Sequence, residues 1–252
     1  RPTRVVLVRR DSLGERFFEG FEGDKGLGFA DQGISREQII ENWPMIKEKA
    51  KWLVLGTIPL ASEISTNAFL WCVEKAWHAG IKIVLDLNWR PTFWRNEAST
   101  LLEPSIDEKN KIISIAKKAS LLKLSKEEAH WFFNTNNPVE ISSSLPNRPS
   151  VVVTDGSKPV LWLLNNHFGK SFAISPSAVV DTTGAGDAFT AGLIYKLLSF
   201  DLDQINEQIA EEIIKFAIAC GSHVCKGMGA IEAQPYLGDI DNLLSLSKGG
   251  LS

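Results

Sequence analysis

The sequence predicts an α/β fold with a central, mostly parallel sheet flanked by helices, and three observations lead there. From residue 52 onward, short β-branched and leucine-rich runs alternate with stretches of helical periodicity, the pattern left by a parallel sheet with crossover helices. The 252 residues, 44% hydrophobic and 23% charged, can enclose one large core or one core and a small appendage. Lastly, a Gly-Ala-Gly run at residues 184–186 stands between a short β-branched run and an apolar helical stretch, so the glycines fall where a helix begins.

Taken in order, residues 4–8 read as a strand and residues 14–21 as a second, with polar and aromatic side chains mixed; a turn through Asp11, Ser12, Leu13 and Gly14 joins them as a hairpin. Residues 20–33 are glycine-rich and acidic. The pair Gly26 and Gly28 reads as a surface loop and not as a nucleotide fingerprint, because no strong strand precedes it and Trp43 and Pro44 follow a separate helix-like stretch. Strands are expected at 52–55, 81–85, 121–124 and 151–154, and helices at 63–78, near 109–118 and at 126–133. Ser125 is expected to cap the last of these, with Glu128 at the third helical position completing a capping box. Residues 160–164 and 170–174 flank Asn165 and Asn166 as a hairpin-like break. A short strand at 178–180 and long helices at 187–198 and 205–224 close the core. The chain carries no internal repeat and no low-complexity tract.

A net charge of −3 gives no electrostatic case for nucleic acid or an anionic membrane surface as partner. No apolar run approaches the roughly 20 residues that span a bilayer, and residues 1–10 lack the apolar core of a signal peptide. A soluble, cytoplasmic protein is expected. Cys72, Cys220 and Cys225 are odd in number and lack C-x-x-C spacing, which fits reduced thiols. Cys220, His223 and Cys225 invite a metal reading, but i and i+5 diverge around a helix and no second ligand pair is near in sequence.

Asp181-Thr182-Thr183-Gly184-Ala185-Gly186-Asp187 combines a small-residue turn, a helix start and a carboxylate. Backbone N–H groups at a helix start have no intrahelical acceptor and sit at the positive end of the dipole, so a phosphoryl group can be held there. Asp187 in the first turn would then accept a proton from an attacking hydroxyl. An ordinary capped helix, with Asp187 favoured by the dipole, explains the same residues. Asp86-Leu87-Asn88-Trp89-Arg90-Pro91 leaves the carboxyl end of a strand, where α/β sheets gather ligands, and Arg90 offers a cationic fork for phosphate oxygens. A solvated turn is the alternative. No G-x-x-x-x-G-K-[ST] occurs, so ATP is not held by a P-loop.

The whole run from Asp181 to Ile194, DTTGAGDAFTAGLI, resembles the C-terminal signature of the ribokinase-like (PfkB) sugar kinases. That resemblance implies a ribokinase-like α/β core with a small β lid over a sugar site, here residues 1–33 as lid and 34–252 as kinase core. It implies that Asp181, with Thr183, helps hold a monovalent cation such as K⁺, that the Gly184, Ala185 and Gly186 amides form an anion hole, and that Asp187 is the catalytic base. The D-x-N-x-R strand end, with Asn88 and Arg90, resembles that of fructokinases and 2-keto-3-deoxygluconate kinases of the family. Lys123 to Glu128 resembles the family's N-x-x-E motif with Ser125 in place of Asn; Glu128, acting on Mg²⁺ and phosphate through water, is retained. Thr154-Asp155-Gly156-Ser157-Lys158-Pro159 resembles the T-x-G-x-x-G nucleotide loop with Pro159 for the last glycine, and the stretch from Gly227 to Ile231, with Gly229 and Ala230, resembles the adenine-side loop. A glycine helix stop after residue 224 explains that last stretch equally well.

The implied activity is ATP- and Mg²⁺-dependent phosphorylation of a primary hydroxyl of a small sugar. Fructose comes first, from the strand end and from Gly14, Glu15, Arg16 and Phe18; 2-keto-3-deoxygluconate and ribose follow. Family members normally open with a strand bearing a sugar-binding aspartate, which is not seen here; the sequence is expected to be either an N-terminally incomplete copy or a shortened homologue. A non-catalytic, kinase-like binding protein is the alternative of another class. The hairpin edges and the aromatics Phe17, Phe18 and Phe21 lead to an expected homodimer through the lid.

Overall fold

The computed structural model describes residues 1–10, 16–22, 28–94, 103–174, 176 and 178–249. Its elements in chain order are β1 (Val6–Arg10), β2 (Arg16–Phe21), α1 (Arg36–Lys49), β3 (Trp52–Leu55), α2 (Glu63–His78), β4 (Lys82–Asp86), α3 (Pro91–Trp94), α4 (Ile106–Ala116), β5 (Leu121–Ser125), α5 (Lys126–Phe133), α6 (Pro138–Ser143), β6 (Ser150–Thr154), β7 (Val160–Leu164), β8 (His167–Ser171), α7 (Ala185–Leu197), α8 (Glu207–Val224) and α9 (Leu237–Gly249). The expected hairpin turn at Asp11 to Gly14, together with Glu15, Gly23 and Gly26, lies outside the described residues.

β1 and β2 pair antiparallel with a bulge between Leu7 and Val8. The other six strands follow the spatial order β3-β4-β5-β6-β7-β8. β3 and β4 are parallel, and helices also separate β4 from β5 and β5 from β6, as parallel crossovers require. β6, β7 and β8 instead meander antiparallel, so the mostly parallel sheet ends in an antiparallel edge. Asn165 and Asn166 turn its last hairpin with φ of 46° and 65°, the left-handed pair that a two-residue type I′ loop needs.

The chain forms two compact units. The first comprises Arg1–Leu122, Glu127–Asn134 and Leu145–Pro149. Its core draws Val73 and Ala76 from α2, Ile83 and Leu85 from β4 and Ile112 and Ile115 from α4, all essentially fully buried. Ser35 caps α1 in a reciprocal box with Gln38. α1 runs on through Pro44. A proline removes one helical hydrogen bond and bends the helix, and α1 buries none of its residues, so no tight packing opposes that bend.

The second unit comprises Lys123–Lys126, Thr135–Ser144 and Ser150–Ser252. Here Ala188 of α7, Phe216, Ala219, Cys220 and Val224 of α8 and Ile240 of α9 form one buried cluster, with Ile174, Leu243 and Leu244 against it. A Cβ on Gly221 would lie 2.8 Å from the Ala185 carbonyl oxygen; α8 therefore passes the start of α7 closer than any side chain permits. The expected strand at 178–180 is absent. Val179 and Val180 are more than half exposed or close to it, and the Val180 and Asp181 amides both donate to the Cys225 carbonyl, at 2.8 and 3.3 Å, in place of a strand partner. α6 and α9 were not expected, although Asn137-Pro138 is a helix-start signal and Leu237, Ile240 and Leu244 share one helical face.

Candidate active site

α7 begins where the glycines predict. Gly184 is its N-cap with φ 81° and ψ −4°, a left-handed conformation that disfavours any residue with a Cβ. Such a Cβ would also stand 2.8 Å from Ala230 Cβ and 2.9 Å from Ala230 Cα. The Ala185 amide turns back to Thr182 O at 3.3 Å, and the first full helical bond is Ala188 N–H to Gly184 O at 2.9 Å. The amides of Gly186 and Asp187 fall in the first turn, for which a helix supplies no acceptor. Both residues are exposed, so an anion can reach the donors and a hydroxyl can reach the Asp187 carboxylate.

Asp181 fixes this turn. It is 5% exposed; its Oδ1 accepts from the Thr183 amide at 2.7 Å and its Oδ2 from the Gly229 amide at 2.9 Å. One carboxylate thus ties the loop before α7 to the loop after α8, which together with the Gly184–Ala230 contact brings residues 181–187 and 229–230 into one group. Gly229 has φ 72°, and α8 ends at Val224 with Cys225 as C-cap, so the glycine stop and the loop beside α7 are two aspects of the same stretch.

Next to this group lies a cavity of about 290 Å³. Thr154 and Gly156 line it from the end of β6, Ala185 and Gly186 from the start of α7, and Val160, Phe189 and Ile218 give it an apolar wall. Gly156, with φ 55°, turns the chain after β6, and Lys158 N–H donates to Asp155 O at 2.8 Å; the turn accommodates Pro159. Sequence reasoning had placed Thr154 and Gly156 near nucleotide, and the structure sets them on the same cavity as Ala185 and Gly186. Ile174, Phe189 and Cys225 also line that cavity without having been expected there, since an apolar residue lining a cavity carries the same sequence pattern as one in the core.

In the first unit, β4 delivers Asp86, buried, and then Asn88, with φ 41°, Trp89 and Arg90. Glu128, on α5 and 5% exposed, accepts from the Trp89 amide through Oε1 at 2.6 Å. The strand end and the acidic helix start, separate in sequence, are thereby joined. Arg90 is exposed and donates to the Trp89 carbonyl at 2.9 Å. α5 starts at Lys126, the expected position, and the Glu128 carboxylate accepts from the Trp89 amide.

Magnesium and potassium take hard oxygen donors, and the carboxylates of Glu128 and Asp181 are of that type. Asp181 has both oxygens occupied by amides, with further lone pairs on each. Among the described residues no three His, Cys, Asp or Glu side chains gather as a metal cluster. Cys220 and Cys225 are reduced and buried, and burial pushes the Cys220 thiol up to about 11, which disfavours the thiolate a metal needs. His223 is held below the ordinary imidazole range, chiefly by burial and then by Lys226. No helix of the described residues is long and apolar enough to cross a membrane.

The pattern of the pfkB family of carbohydrate kinases matches residues 29–236. A fructokinase from Salmonella typhimurium is 31% identical over 242 residues, covering 95% of this chain and 73% of that protein. A probable chloroplastic fructokinase of Arabidopsis thaliana is 30% identical over 239 residues, 92% of this chain but 58% of that protein. The chain thus spans less than two thirds of the length of that relative. Among solved structures, a fructokinase with bound ATP from Xylella fastidiosa superposes with a TM-score of 0.80 at 23% identity, over 98% of this chain and 74% of that one. A fructokinase double mutant from Vibrio cholerae O395, in its fructose-, ADP- and potassium-bound form, superposes with a TM-score of 0.75 at 24% identity, over 97% and 74%. Those likenesses establish a shared fold.

Proposed function

Since the chain belongs to the pfkB family of carbohydrate kinases, we propose that it catalyses ATP-dependent phosphorylation of a primary hydroxyl of a small sugar, with fructose as the preferred acceptor. One observation carries the reading: the cavity lined by Thr154 and Gly156 opens on Ala185 and Gly186, so a nucleotide base held by its apolar wall has its phosphates at the α7 start. Fructose is supported by the fructokinase relatives and by the Asp86-Asn88-Arg90 strand end.

Asp187 removes the proton from the attacking hydroxyl, while the amides around Gly184, Ala185 and Gly186 hold the charge that develops on the transferring phosphoryl oxygens. Arg90 adds positive charge toward the phosphates. Glu128 is the carboxylate offered to Mg²⁺, which when bound neutralises phosphate oxygens, and Asp181 with Thr183 is the pair offered to K⁺. Residues 1–33 serve as the lid and 34–252 as the kinase core; β1 and β2 form a sheet of their own, with outer edges that a second copy can cover in a homodimer. A cytoplasmic location goes with this reading.

A panel of fructose, 2-keto-3-deoxygluconate, ribose and adenosine, assayed for ADP release, tests it. Fructose should give the highest kcat/KM. Preference for ribose or adenosine removes the fructose assignment, and the absence of sugar-dependent ADP release removes the kinase assignment.

A further inference from the structure

The cavity beside the α7 start is poor in groups that tell one nucleotide base from another. Among the described residues that line it, no amide, carboxylate, guanidinium, ammonium or imidazole side chain occurs. Its polar side chains are the hydroxyls of Thr154, Ser157, Thr182 and Ser222 and the thiol of Cys225. Thr182 belongs to the turn before α7, where the phosphates are set, and Ser157 is exposed beyond Gly156. Thr154 Oγ1 donates to the Leu124 carbonyl at 3.4 Å, and Cys225 Sγ to the Gly221 carbonyl at 3.4 Å. On α8, Ile218, Ser222 and Cys225 follow helical spacing and share one face. A base against that face meets an isoleucine, a hydroxyl and a thiol already engaged with its own helix.

Purines differ at their edges: adenine carries an amino donor where guanine carries a keto acceptor. A pocket separates them with a group of fixed polarity, which one base satisfies and the other leaves unpaired. Such a site rejects the wrong ligand by about 10⁴–10⁵-fold, whereas an apolar pocket separates close analogues by only about 10–200-fold. A hydroxyl donates or accepts as it rotates, so Ser222 serves either edge. Resting on the kinase reading above, we propose that the phosphoryl donor is a purine nucleoside triphosphate of either kind, GTP as well as ATP. The base is held by its apolar faces, and the donor is selected by its phosphates at the α7 start. The transfer is the same for both. The bond from the γ-phosphorus to the β–γ bridging oxygen breaks, a bond to the sugar hydroxyl oxygen forms, the hydroxyl proton passes to Asp187, and GDP leaves in place of ADP.

The test compares the two purines in binding and in turnover. Affinities for non-hydrolysable ATP and GTP analogues are measured by calorimetry, and fructose phosphorylation is followed with ATP and with GTP as release of the diphosphate. The two analogues should bind within about tenfold of each other, and kcat/KM for the two donors should agree within the same factor. Ser222→Ala should leave the ratio of the two affinities within about threefold of its original value, because the hydroxyl favours neither edge. A preference beyond about tenfold for either purine, with sugar phosphorylation intact, overturns the proposal and leaves the kinase reading in place. A larger shift of the ratio in Ser222→Ala shows Ser222 reading one base and overturns it as well. Matched binding of both analogues, with no sugar of the panel phosphorylated, sinks the sugar-kinase reading and leaves a site indifferent to the purine. A chain that binds neither analogue overturns both.

Discussion

Asp187→Asn should lower turnover by about 10²–10⁴-fold, the range typical of losing a general base, while ATP affinity changes little. Asp187 lies in the first turn of α7, exposed, and the substitution is nearly isosteric. Its structural effect is confined to one favourable helix-dipole interaction, about 0.3–1 kcal/mol, too small to unfold a domain. The catalytic loss corresponds to about 3–5 kcal/mol of transition-state stabilisation, so the two readings of the residue separate by magnitude. Steady-state kinetics beside calorimetry decides: a variant with near-normal turnover leaves Asp187 as a helix-start residue and nothing more.

Gly184→Val should behave differently, with stability, nucleotide binding and turnover falling together. A β-branched residue at φ 81° is strained by about 1–3 kcal/mol. Its Cβ would be 2.8 Å from Ala230 Cβ, well inside the ~3.5–4.0 Å optimum for carbon atoms, and such overpacking adds about 1–3 kcal/mol. Relief requires the loop at 229–230 to move, which breaks the Asp181 bridge between the two loops. The thermal midpoint should fall by at least about 4 °C. Gly238→Ala is the control: nothing lies within 4 Å of its Cβ position, so the midpoint should hold or rise slightly through better helix propensity. Normal nucleotide binding by Gly184→Val would show that the turn is not part of the binding site.

Between residues 52 and 154, β3, α2, β4, α4, β5, α5 and β6 were legible because each is a short apolar run or a periodic stretch of ordinary length, and Trp52–Leu55 and Glu63–His78 match their expected bounds. The run Ala178-Val179-Val180 misled, since β-branched composition signals a strand only where a neighbouring strand accepts its hydrogen bonds. At the site, the Gly184 to Asp187 turn was legible from residue types alone. What joins it to the rest was not: the Asp181–Gly229 bridge spans 48 positions, the Trp89–Glu128 bond spans 39, and neither separation leaves a local pattern.

The most direct measurement is a crystal structure of the chain with a non-hydrolysable ATP analogue and Mg²⁺. The account predicts the base against Val160, Phe189 and Ile218, and the terminal phosphate within hydrogen-bond distance, about 3 Å, of the Gly186 amide, with the Asp187 carboxylate facing the phosphorus on the side away from the leaving oxygen. Phosphates seated elsewhere, with the α7 start bearing only solvent, would contradict it.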